Sequence, residues 1–223
     1  SEGHQKDAGI LSVEDFVRKI KDYDVISFDI FGTLIFRPFS SPTDVFYLIG
    51  EKFDFLDFKN LRVWAEWDAR MKCRQKNGHT EVSLQDIWEN LEEDTGLNAE
   101  EGMRLECETE EKLCYANPYM LQVCKRLQEL EKRMIIVSDM YLPRSCIERI
   151  LQKAGYTGAE RIYISNEYGE NKAGGDLFHR VIRDFSGARI VHIGDNPHSD
   201  QKMAKASGLD ICLLYRTDAA DDL

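Results

Sequence analysis

The sequence predicts an α/β protein, a Rossmann-like parallel sheet interrupted by one all-helical insertion. Two observations carry this. Five short apolar runs, at 24–30, 133–138, 161–165, 189–193 and 210–214, have the length of strands buried on both faces, and amphipathic stretches separate the last four. Between the first and second runs, residues from about 43 to 116 change rhythm and show helical periodicity without a convincing strand.

In order along the chain, the first run reads DVISFDI, and the helical segment follows as TDVFYLIGEKF, FKNLRVWAEWDARMKCRQK, SLQDIWENLEEDT and NAEEGMRLECETEEKLCYA, about four helices. Ser83 with Asp86 three residues on is a helix-start signature. The second run, RMIIVS, is followed by helical stretches near 143–155, 174–185 and 198–207, with RIYIS, RIVHI and DICLL as the remaining strands. Gly155, Gly158, Gly187 and Gly208 mark helix ends and loops. We place the core at 1–40 and 117–223 and the helical unit at 41–116, which suits a chain of 223 residues. The acidic tail DAADDL is expected to fray.

Composition narrows the functional classes. With 40 acidic against 29 basic residues the net charge is −11, which disfavours nucleic acid and anionic membranes as partners. The same field repels anionic substrates unless a metal or local cations offset it. No apolar run approaches the roughly 20 residues of a bilayer span. The first residues, SEGHQKDAGI, lack an apolar signal region and an initiator Met, as in a processed or excised chain. Cysteines at 73, 107, 114, 124, 146 and 212 form no CxxC pair, so free thiols in a reducing, cytoplasmic setting are expected.

Four short motifs fall at the carboxyl ends of predicted strands or at the helix that follows, along the edge where open α/β sheets bind ligands. The first strand ends Ser27-Phe28-Asp29-Ile30-Phe31-Gly32-Thr33-Leu34, and the second ends in Ser138-Asp139. Lys172 lies in NKAGGDLF, just before a helix. Gly194-Asp195-Asn196-Pro197-His198-Ser199-Asp200 follows the fourth strand, its two carboxylates bracketing a tight loop fit to half-enclose a hard divalent ion. Each motif alone has an ordinary structural reading, such as a turn-capping Asp. Their order and shared sheet edge point to one site.

Together these residues resemble the haloacid dehalogenase (HAD) superfamily, with likeness over about 22–38 and 117–215. The resemblance implies a helical cap at the insertion, Mg²⁺ as cofactor, and Asp29 as a nucleophile forming an acyl-phosphate. It implies further that Asp29, Asp195 and the carbonyl of Phe31 face the ion, with Asp200 either ligating it through water or orienting Lys172. Ser138 would hydrogen-bond a phosphoryl oxygen, Lys172 would balance charge, and Gly32, Thr33 and Asp139 would line the substrate. The expected activity is a phosphatase acting on a small phosphorylated metabolite.

SFDIFGTLIFRP, VSDMYLP and HIGDNPHSD are similar to bacterial HAD-like domains associated with glycosyltransferases and surface-polysaccharide synthesis. One departure matters: phosphatases of the family carry a second Asp two residues after the nucleophile, and Phe31 stands there. Losing a positioned acid lowers rate by roughly 10²–10⁴-fold. An aromatic there also occurs in haloacid dehalogenases, which work without a metal and lack the acid that is Asp195 here. A 2-haloacid dehalogenase and a degenerate domain with a binding or assembly role are therefore the alternatives.

Other residues have plain readings. Arg62, Glu66 and Arg70 recur four apart, as in a solvated ion-pair ladder, with a substrate-gating face as the other reading. Trp64, Trp67 and Trp88 are read as filling the core of the helical unit rather than stacking on a sugar. His79 and His198 are surface or loop residues, Lys153 sits on an ordinary amphipathic helix, and Arg37 either meets an anionic substrate or lies at the surface.

Overall fold

The computed structural model describes residues 10–213. The tail DAADDL, the last residue of the fifth apolar run and most of the first ten residues lie outside that span. The chain opens with α1 (Val13–Ile20), capped where Ser12 accepts the backbone N–H of Asp15 and burying Phe16, Val17 and Ile20. Next come β1 (Val25–Phe28), β2 (Ile35–Phe36), a 3₁₀ turn (Pro42–Asp44) and α2 (Val45–Lys52). The series continues with α3 (Phe58–Asn77), α4 (Leu84–Thr95), α5 (Ala99–Leu113), β3 (Tyr115–Ala116) and α6 (Pro118–Glu129). The remainder is β4 (Arg133–Ser138), α7 (Arg144–Ala154), β5 (Ala159–Ile164), α8 (Ser165–Tyr168), α9 (Asp176–Asp184), β6 (Ile190–Ile193), α10 (Ala204–Ser207) and β7 (Asp210–Ile211).

Five strands form one parallel sheet in the order β5-β4-β1-β6-β7. Alternation along each strand divides its side chains between two cores. Ile26, Phe28, Met134, Ile136, Val191 and Ile193 face α1, α6 and α7. Val25, Ile135, Val137, Tyr163 and Ile190 face Leu177, Phe178 and Val181 of α9. Burial on both faces is why these strands read as continuous apolar runs rather than as alternating ones. Placing β1 in the centre, between β4 and β6, brings three strand ends distant in sequence side by side.

The structure differs from expectation in four respects. Tyr115–Ala116 is a strand, pairing antiparallel with Ile35–Phe36 where the chain leaves and re-enters the core. Two residues per strand are too few to show an alternating pattern, and nothing in the sequence marked it. The stretch at 198–207 begins as a π-helical turn, Pro197–Met203, before α10. Trp88 is fully buried against Phe53 and Phe58, but Trp64 and Trp67 are 64% and 55% exposed. They pack edge to face on each other at the outer surface of α3.

The predicted ion-pair spacing is present, with Arg62 and Arg70 both bonded to Glu66, yet Arg62 is not solvated. Its guanidinium makes two 2.8 Å bonds to the buried Glu106 and lies against the Phe46 and Tyr141 rings. The α4 start is as read, with Ser83 and Asp86 forming a reciprocal capping box. All six cysteines are free thiols. No helix among the described residues is long and apolar enough to cross a membrane.

Candidate active site

Asp29 follows β1, and its N–H bonds to Ile193 O at 2.9 Å, which carries the β1–β6 pairing to the sheet edge. The chain then reverses at once: Ile30 O accepts from Thr33, Leu34 and Ile35. Gly32 makes this possible in two ways. Its φ of +85° suits glycine, and a Cβ there would come within 2.5 Å of an Asp195 oxygen. Gly194 serves the other side of the cleft, since a Cβ on it would meet the Asp200 carboxylate at 2.2 Å.

Oxygens of Asp29, Asp195 and Asp200 lie within 4.8 Å of one another. Lys172, delivered by the loop before α9, is fully buried and reaches Asp29 at 2.8 Å and Asp200 at 2.5 Å. Ser138 ends β4 on the neighbouring strand and is 1% exposed. The structure thus brings together the side chains that the sequence scattered over positions 29 to 200.

The electrostatics follow from three carboxylates facing one ammonium. Burial raises the Asp29 carboxyl to about 7; Lys172 opposes that rise while Asp200 and Asp195 add to it. Asp195 is also raised, first by burial and then by Asp200. Burial works against the Asp200 anion too, but hydrogen bonds and charge from His192 and Lys172 overcome it and hold that carboxyl at about 2. Burial disfavours the Lys172 ammonium, and the surrounding carboxylates more than restore it. A site with excess negative charge and all-oxygen donors, Asp29, Asp195 and Asp200 within 4.8 Å of one another, fits a hard divalent cation such as magnesium.

Some expected contacts are not those observed. Asp139 does not face the cleft with free oxygens: they accept the N–H groups of Lys172 at 2.7 Å and Ala173 at 3.2 Å, anchoring the lysine loop. Thr33, expected at the substrate, is wholly buried, and its Oγ1 has no partner among the described residues. Arg37 takes neither predicted position. It forms a two-bond pair with the buried Glu110 of α5 and stacks 4.2 Å above the Phe31 ring. The slot beside the nucleophile is therefore filled by an aromatic ring with a cation on it.

His198 is exposed, in the π-helical turn, and its Nε2 contacts Ala173 O, and Lys153 binds the carbonyls ending α5. His79 is partly buried in a loop, with Nδ1 accepting the Glu81 N–H.

Two residues behind the carboxylates escaped the sequence reading. His192 bonds Asp200 at 2.8 Å through Nε2, and its Nδ1 lies 2.7 Å from Ser27 Oγ. A signal was present: a histidine inside an otherwise apolar, fully buried strand must find polar partners.

Residues 23–208 match the model of a family described as haloacid dehalogenase-like hydrolases. A search of curated proteins found no match. Among solved structures, one similar chain is described as the HAD-hydrolase YfnB of Bacillus subtilis bound to magnesium, with TM-score 0.59, 18% identity, and coverage of 86% of this chain and 88% of that one. A 2-haloacid dehalogenase from Pseudomonas syringae pv. Tomato DC3000 is similar at TM-score 0.59 and 17% identity, covering 90% and 91%. A HAD family enzyme from Bacteroides thetaiotaomicron gives TM-score 0.62 and 16% identity, covering 90% and 96%. At these identities the likeness is one of fold.

Proposed function

Because the chain belongs to the haloacid dehalogenase-like hydrolases, we propose that it is a magnesium-dependent phosphatase that acts on a small phosphorylated metabolite through Asp29. The observation that carries this reading is Asp195, a carboxylate held within 4.8 Å of both Asp29 and Asp200. Three acids against one lysine suit a bound cation and a dianionic phosphate, whereas a metal-free displacement of halide has no use for the third acid.

In this reading Asp29 and Asp195, with the Phe31 carbonyl, hold the magnesium, and Asp200 serves from behind because its oxygens already take Lys172, His192 and the Asn196 N–H. When bound, magnesium shields the nucleophile from an anionic substrate and neutralises charge on the transferring oxygens. The oxygen of Asp29 not bonded to Lys172 attacks phosphorus, and the bond to the departing alcohol breaks. Water then attacks the acyl-phosphate, releasing inorganic phosphate and restoring the carboxylate.

Ser138 donates to a phosphoryl oxygen, and Lys172 balances charge. Gly32 lets the backbone approach, and Asp139 holds the lysine loop by its N–H groups. Phe31 supplies no proton, so an alkyl or sugar leaving group departs slowly and an aryl leaving group departs readily.

Phe31 also favours a second reading, a dehalogenase-like hydrolase in which Asp29 displaces halide from a 2-haloacid. A degenerate domain that binds phosphate without turnover is the third. The six free thiols support a cytoplasmic location. The motif likeness supports association with polysaccharide-synthesis machinery, as a proposal that rests on sequence alone. The test is turnover of an activated aryl phosphate with magnesium, abolished in Asp29→Asn. Metal-free halide release from a 2-haloacid would select the second reading, and phosphate binding without turnover the third.

A further inference from the structure

Behind the catalytic edge lies a continuous chain of hydrogen bonds: Ser27 Oγ to His192 Nδ1 at 2.7 Å, His192 Nε2 to Asp200 Oδ1 at 2.8 Å, Lys172 Nζ to the same oxygen at 2.5 Å, and Lys172 Nζ to Asp29 at 2.8 Å. Ser27 and His192 are fully buried, and Asp200 and Lys172 nearly so. We propose that Ser27 and His192 are positioning residues that fix Asp200, and through it the Lys172 ammonium, against the nucleophile. The proposal rests on the reading of Asp29 as nucleophile and extends it beyond the residues of the four motifs.

The fold dictates the pairing. Ser27 and His192 are register partners on β1 and β6, and Ser27 stands two residues before Asp29, so both point to the same sheet face. That is the α9 face, where Phe178 closes on the imidazole edge with ring centroids 5.0 Å apart. The buried imidazole is thus packed against an aromatic ring as well as hydrogen-bonded at both nitrogens.

Donor logic then assigns each proton. An ionised Asp200 only accepts, so His192 Nε2 carries the hydrogen that faces it. A second cation beside Lys172 in this buried space is disfavoured, which leaves Nδ1 as a lone pair and makes the Ser27 hydroxyl the donor. Ser27 thereby selects the tautomer, as partners of ligand histidines do in metal sites. Asp200 is held from three directions, by His192, by Lys172 and, on its second oxygen, by the Asn196 N–H at 3.2 Å. Removing His192 takes away one of these three holds, and Asp200 is then expected to shift on the remaining two together with the Lys172 ammonium.

The experiment combines nitrogen-15 NMR of the full chain with magnesium-supported hydrolysis of p-nitrophenyl phosphate in wild type, His192→Phe and His192→Gln. Phenylalanine keeps the volume without the bonds, and glutamine carries an N–H that reaches Asp200. In wild type the His192 ring is expected as the neutral Nε2–H tautomer, with a slowly exchanging Lys172 ammonium. His192→Phe should broaden or shift the Lys172 signal and lower kcat by roughly 10–100-fold, the range for supports one layer behind a site, with KM nearly unchanged. His192→Gln should restore both.

Should His192→Phe not fold, His192→Asn, which stays polar beside Ser27 but falls short of Asp200, takes its place with the same expected loss. A proton on Nδ1 in wild type, or an unmoved Lys172 signal in the variant, overturns the proposal. Absence of any wild-type turnover sinks the phosphatase reading instead, and the Lys172 signal still decides the hydrogen-bond chain.

Discussion

The edge of the parallel sheet and the helical insertion contain comparable sets of buried charge but arrive at them differently. At the sheet edge, Asp29, Ser138 and Asp195 are set by strand ends and Asp200 by the π-helical turn after β6, and two glycines leave room for the carboxylates. In the insertion, Arg62 is buried between Glu106 and two aromatic rings because of how α2, α3 and α5 stack and because Tyr141 of the loop after β4 reaches it, which no local pattern announces. The first set concentrates negative charge around one lysine and stays partly open at Asp195. The second closes an ion pair completely, with both side chains at 0% exposure. Excess charge left uncompensated marks a site; charge neutralised in place marks architecture.

Substitutions should separate the two regions. The largest effect is expected from Asp29→Asn, which should lower turnover by roughly 10⁴–10⁶-fold, as loss of a nucleophile does, while leaving thermal stability unchanged or higher. Arg62→Ala should do the reverse. Leaving Glu106 buried without its partner costs about 3–5 kcal/mol in a denaturation experiment, with turnover per folded molecule preserved. The double variant Arg62→Met, Glu106→Leu should recover most of that loss. If Arg62→Ala abolishes turnover in fully folded protein, the insertion contributes to the site itself.

The third prediction concerns the boundary between the regions, where Arg37 crosses from β2 to cover Phe31. Restoring a carboxylate by Phe31→Asp alone should not restore an acid. Arg37 would pair with the new aspartate, lower its pKa and keep it ionised at neutral pH. Phe31→Asp with Arg37→Gln should raise turnover of an alkyl phosphate by about 10²-fold over the single variant, measured against an aryl phosphate as control. Glu110, left alone by Arg37→Gln, makes a folding check necessary. Equal rates in the single and double variants would show that Arg37 does not govern the slot.

A smaller effect should appear in the pH dependence of metal stabilisation. The folded-state Asp29 carboxyl is raised to about 7 from 3.8, so its contribution to stability is present below the lower value and lost as pH rises through the upper one. Magnesium binds the deprotonated form, so its shift in Tm should grow between about pH 5 and pH 8. Asp195, raised in the same direction, adds to the trend. A shift that shrinks over this range would mean that the ion binds elsewhere.

The smallest change is expected from Trp64→Ala and Trp67→Ala, within about 0.5 kcal/mol each as exposed positions, against about 3–5 kcal/mol for Trp88→Ala.

These contrasts explain what could be read in advance. Strand ends were legible because burial on both faces leaves a bare apolar run and makes the following Asp or Ser conspicuous. The capping box at Ser83 was legible because its chemistry is local. Arg62, Trp64 and Trp67 were misplaced because helical spacing gives a face but not its neighbour. Asp139 was assigned to substrate, and Arg37 to either substrate or surface, because both flank motifs, whereas Glu110 and the Lys172 loop, distant in sequence, claim them. His192 was hidden by the apolar run that contains it.

The central claim is that Asp29 carries the phosphoryl group. Rapid quench of the magnesium-loaded enzyme with an activated aryl phosphate, followed by peptide mass spectrometry, reads this directly. The expected result is one phosphoryl group on the peptide containing Asp29, absent in Asp29→Asn. Hydrolysis of the aryl phosphate with that peptide unmodified, or an ester at Asp29 after exposure to a 2-haloacid without metal, would contradict the account.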